Sequence, residues 1–226
     1  MRTRARLVLL GLAAALLLCS LVATTSARNL SISNQNFRAT WSGLRFESKI
    51  EDPTRMNQIS CPVTLEGSFH ARTFTKTRDS LIGVITRAHA NHPCEAGGNE
   101  FSFHNGSETV LRGIPETTLP WPIFYSSFTG TLPAITRVTI EMQGMVMTVF
   151  YPLGCLEVYG ERLESRQWVF TLEVGGAISS LEPAAGHLIR GPAMSTLFCA
   201  RLARLSGQSR PITLLGTTTR VTLRLI

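Results

Sequence analysis

Four histidines are the residues whose type and spacing most invite chemistry. His70, His89, His92 and His104 fall within 35 positions of one another. Neutral imidazole ligates metals and takes up protons near neutral pH. Two β-hairpins could bring some of the four together, and a glutamate beside His70 or His104 would make a hydrolytic pair. Against this, His89-x-x-His92 would need a helix to converge, and Pro93 disfavours one there. Residues 89–104 also read as an exposed loop, where solvated histidines are ordinary. The plainer reading prevails: no metal, no cofactor and no catalytic residue is expected.

The acidic residues add little. Asp52 and Asp79 are the only aspartates. Glu157, Glu161 and Glu164 would share one helix face, but like charges at that spacing repel, which favours a solvated face over paired catalytic carboxylates. No G-x-S-x-G elbow, H-E-x-x-H helix, P-loop or G-x-G-x-x-G loop occurs. An enzyme is therefore not expected. A hydrolase built on a His and a Glu is the outlying alternative.

Cys61, Cys94, Cys155 and Cys199 are the next reactive set. No two lie closer than 33 positions, so the close C-x2-C pairs of a thiolate zinc site are missing. Four such residues in an exported chain favour two disulfides, and three pairings remain open. The sequential one, Cys61–Cys94 with Cys155–Cys199, closes two moderate loops.

Two apolar groups could touch a ligand. Leu119-Pro120-Trp121-Pro122 holds Trp121 extended, and Ile123, Tyr125 and Ser127 share its face if the strand runs unbroken. Trp121 and Tyr125 could then cradle a sugar ring or a partner; filling a core is the commoner use of such residues. Met142, Met145, Met147 and Phe150 could line a cavity for a small apolar ligand, since Met adapts to irregular shapes. Ordinary core filling is again the plainer use.

The elements that must position these residues begin after a leader. Arg2, Arg4 and Arg6 precede the apolar run Leu7–Leu18, and Thr25-Ser26-Ala27 ends it with small residues. That order of charge, apolar core and small residues is a secretory signal, with cleavage expected after Ala27. The alternative is a retained anchor, because Leu7–Ala23 reaches the lower limit for spanning a bilayer. No later segment is apolar enough to span as a helix. Removing residues 1–27 takes three Arg away, and the formal net charge falls from +7 to +4. The remaining Arg are scattered singly, so a nucleic-acid partner is not expected. An anionic cell-surface polymer fits the balance better.

Residues 28–226 read as strands. Val138, Ile140 and Met142 alternate with polar neighbours, as do Trp168, Phe170, Leu172 and Val174, and Val221, Leu223 and Leu225. Period two with one wet face marks antiparallel sheet. Gly, Pro and Asn punctuate many short runs, which predicts an all-β sandwich or barrel. Charged residues are only 16% of the chain, and Thr fills much of the difference. One helix is expected over Glu157–Arg166, with a turn near Pro183–His187. The division is a signal peptide, 1–27, and one β domain, 28–226, with 28–60 as edge strand and lead-in.

CPVTLEGSFHARTFTK (61–76), LIGVITRAHANHPC (81–94), LPWPIFYSSFTGTLP (119–133) and ITLLGTTTRVTLRLI (212–226) together resemble a group of uncharacterised exported proteins of high-GC actinobacteria. The Thr-Leu-Glu-Gly-Ser and Thr-Leu-Pro-Trp blocks carry most of the likeness. The resemblance implies a secreted or envelope location and a Cys61–Cys94 pair. It implies no activity, and the stretch 98–108 reads as a lengthened hairpin loop. The expectation overall is an exported, non-catalytic β-protein with a binding or structural role at the cell envelope; a carrier of a small apolar ligand is the first alternative.

Overall fold

A computed structural model describes residues 29–49, 56–91, 94, 100–103, 118–131, 134–151, 155–160, 165–185, 188–190 and 202–226. Every regular element among them is a strand. In chain order these are β1 (Asn29–Ile32), β2 (Asn36–Lys49), β3 (Met56–Phe69), β4 (Thr73–Thr75), β5 (Leu81–Ala90), β6 (Glu100–Phe103), β7 (Trp121–Thr131) and β8 (Ala134–Gln143). They continue with β9 (Met147–Tyr151), β10 (Cys155–Tyr159), β11 (Ser165–Leu172), β12 (Ile178–Pro183), β13 (Leu188–Arg190), β14 (Leu202–Ser206), β15 (Thr213–Leu214) and β16 (Leu223–Leu225).

The main sheet runs β12-β11-β8-β7-β5-β3-β2-β14-β13, with β15 also paired to β2. Each pairing is antiparallel. The segment after β14 then almost closes the sheet into a barrel. Ser209 N donates to Leu181 O and Ile212 N to Ile178 O, both on β12, while Arg210 N donates to Thr40 O on β2. Leu181 N donates in turn to Ser209 Oγ at 2.8 Å. These bonds satisfy edges that would otherwise stay open to pairing with other chains.

The interior follows from the alternation. Trp168, Phe170 and Leu172 on β11 point inward, as do Val138, Ile140 and Met142 on β8 and Trp121, Ile123 and Tyr125 on β7. All belong to one continuous core. Trp41 and Trp168 meet edge to face at 5.8 Å, and Phe69 stacks on Phe74 at 5.9 Å. Register shifts reset the period where strict alternation would fail: between Trp41 and Leu44 on β2, and between Glu66 and Gly67 on β3. Gly67 permits the second, since a Cβ there would lie 2.5 Å from Val84 O.

Two small sheets lie at opposite ends. The sheet β16-β1-β4 stands where β2 begins and β3 ends, and the sheet β10-β9-β6 stands where β8 ends and β7 begins. Both add side chains to the core, Leu30, Ile32 and Leu223 from the first, Phe103, Met147 and Val149 from the second.

Several sequence expectations need correction. No helix spans Glu157–Arg166: Glu157 lies in β10 opposite Val149, and Arg166 lies in β11 opposite Met142. Cross-strand pairing outweighs the modest helix preference of Glu, Leu and Arg. Gly160, at φ +94° against the Met145 carbonyl, breaks any helical path between them. Pro183 ends β12 and Ala185 lies in a turn, as expected for this stretch; residues 186–187 are outside the described residues. Within 98–108, Glu100–Phe103 forms β6 on β9 and is not loop. Of the described residues in 28–60, β1 sits between β16 and β4, and β2 pairs with β3, β14 and β15, so neither strand is an edge.

Candidate binding surface

The barrel separates His70 from His89. His70 follows β3 at one end of the barrel, and His89 lies near the far end of β5, both exposed. His92 and His104 lie outside the described residues. Among the described residues, no three His, Cys, Asp or Glu stand together as a metal-binding group. Of the glutamates proposed for a helix face, Glu157 is in β10, and Glu161 and Glu164 lie outside the described residues.

Cys61, inward-facing on β3, is joined to Cys94 beyond β5, with their Cα atoms 4.3 Å apart. The backbone prepares this link, because Asn91 N donates to Pro62 O. Cys155 begins β10, and Cys199 lies outside the described residues.

Trp121 and Tyr125 both point into the core. Trp121 Nε1 donates to Thr118 Oγ1 at 2.8 Å, and its ring lies 5.6 Å from that of Phe103. A bulge between Tyr125 and Ser127 turns Ser127 outward, so the face expected to hold all four residues ends at Tyr125. Met142, Met145 and Met147 are likewise buried in the core. The Phe150 side chain lies outside the described residues.

Burial pushes the Tyr125 phenol above its ordinary value. The unfolded chain loses that proton near pH 10, whereas the folded protein keeps it to higher pH. Above that point the folded state binds more protons, so stability falls as pH rises. Tyr125→Phe is expected to remove this part of the alkaline loss. Urea denaturation of both proteins at about pH 8 and about pH 11 measures it.

The outer surface carries polar clusters that residue spacing did not reveal. Glu66 on β3 accepts from Arg38 Nε at 2.9 Å and from Arg87 Nη1 at 3.2 Å, bridging β2, β3 and β5. Its side chain is only 9% exposed, and the paired cations offset the cost of covering it. Glu141 accepts from Ser165 Oγ at 2.9 Å and from Ser126 and Gln167 on the neighbouring strands. Arg166, 2% exposed, points inward at the end nearer β9. The signal lay in the alternation: Glu66 and Glu141 each stand next to core positions, on the outward face, whereas Arg166 is two from Trp168 and shares its inward face.

A cleft of about 330 Å3 opens at the other end. Ile135, Leu172, Val174, Leu223 and Leu225 line it, with Arg224 beside them. Glu173 at its rim takes two hydrogen bonds from Arg220 Nη1, at 3.0 and 2.9 Å. No protein-family model, curated protein or solved structure matches the chain. The fold therefore defines the class: an all-β protein built on a nearly closed antiparallel barrel.

Proposed function

We propose that the chain is an exported, non-catalytic β-barrel protein that acts by binding at the cell envelope through its outer surface. The observation that carries this reading is the use of the interior. Trp41, Trp121, Trp168 and the methionines that could have lined a ligand cavity are all spent on one continuous core. Binding then falls to the outside and to the barrel ends. Export rests on the leader at residues 1–27 and is supported by the Cys61–Cys94 bond, which suits an oxidising compartment.

Co-sedimentation with isolated envelopes of the producing cell tests the binding role. Saturable retention that survives removal of divalent metal is expected. A protein that stays wholly in the supernatant overturns the reading.

A further inference from the structure

We propose that the barrel end carrying the sheet β16-β1-β4 docks on an anionic lipid bilayer surface. The inference rests on the envelope-binding reading and names its partner.

Two independent features converge on this end. The first is apolar. Four large hydrophobic residues are exposed among the described residues: Leu81, Val174, Leu215 and Ile226. Leu81 opens β5, Val174 sits in the β11–β12 turn, Leu215 follows β15, and Ile226 follows β16. Pairing registers place all four at the same end, where β2, β8 and β12 begin. Val174 is 107% exposed, with its side chain wholly in solvent. Large exposed apolar residues gathered in one region mark an interaction surface, unlike the same residues scattered singly.

The second feature is charge. The same end carries Arg72, Lys76, Arg78, Arg137, Arg220 and Arg224. Against them stand Asp79, near Arg78, and Glu173, bound to Arg220. Among the described residues, six cations against two anions leave four positive charges at this end. Their places are linked through the sheets. Arg224 and Thr73 flank Ser31 on either side, which puts Arg72 next in line. Lys76 Nζ lies 5.1 Å over the Phe128 ring, and Arg137 pairs with the adjacent Thr129. The cleft lined by Ile135, Val174 and Leu225 opens at this same end beside Arg224.

Apolar tips within a basic collar match an anionic membrane surface in both respects. The tips enter the headgroup region while long Arg and Lys stems keep their charges at the phosphates. A soluble polyanion would satisfy the collar but leave the tips in water.

The test is vesicle co-sedimentation of the protein as purified from its cell, using about one-quarter phosphatidylglycerol in phosphatidylcholine against phosphatidylcholine alone. Binding to the anionic vesicles, weakened by salt, is expected. Arg72→Gln and Arg137→Gln should each weaken it about fivefold, and Val174→Asp roughly tenfold. Arg204→Gln, on the opposite part of the barrel, should leave it unchanged. All four positions are exposed, so the fold is retained. Equal loss from Arg204→Gln, equal binding to both vesicles or no vesicle binding overturns the proposal. So does tighter binding to soluble polyglutamate with no effect of Val174→Asp. Retention on envelopes without binding to vesicles would sink this inference and leave the envelope reading standing.

Discussion

Trp121→Ala is expected to lower the unfolding free energy by about 3–5 kcal/mol, the range for deleting a large buried aromatic side chain. The midpoint temperature should fall by on the order of 10 °C for a chain of this size. Three losses combine. The indole sits in the core against the Phe103 ring, and its removal leaves a cavity at the start of β7. The Thr118 hydroxyl loses its donor. The ladder between β5 and β7, where Trp121 pairs with Ile85, loses its largest side chain. Thermal unfolding followed by tryptophan-independent circular dichroism measures the effect. A ligand-contacting Trp121 on an outer strip would instead change stability by less than about 1 kcal/mol.

Replacing Cys61 and Cys94 together by Ala is expected to cost about 3–4 kcal/mol, because the bond closes a loop of 33 residues in the unfolded chain. A reductant should produce at least this loss in the native protein and a smaller one in the double variant. Both residues sit at the end of the barrel that carries β10-β9-β6, so hydrogen exchange should rise most in β3 and the end of β5. Equal stability of the native and reduced proteins would contradict the assigned pairing.

Much of the fold was legible because side-chain period and burial agree along most strands. Trp168, Phe170 and Leu172 alternate strictly, and β11 buries those three together with Arg166. The expected runs 37–46, 81–88 and 123–128 fall within β2, β5 and β7. Where bulges intervene, alternation misleads: Ser127 looks like a partner of Tyr125 but is turned out by the shift before it. Glu157–Arg166 misled for another reason. Its local preference is helical, but β9 and β8 offer backbone partners on both sides, and the ladder hydrogen bonds decide.

The binding surface was less legible. Residues far apart in sequence, such as Arg72, Arg137 and Arg224, share one end only because antiparallel strands return to it. Single Arg residues scattered along the chain therefore looked like ordinary solvation. Glu66 hid in the same way, since its two arginine partners lie 28 and 21 positions away. The disulfide was narrowed to three pairings by counting alone, and the β3–β5 register is what sets Cys61 beside the segment bearing Cys94.

Export is the central claim, and peptide-mapping mass spectrometry of the protein from its own cell tests it most directly. The account predicts a mature N-terminus at Arg28, recovery outside the cytoplasm, and a cross-linked peptide joining Cys61 to Cys94. A cytoplasmic protein that retains Met1 through Ala27 and carries free thiols at Cys61 and Cys94 would contradict it.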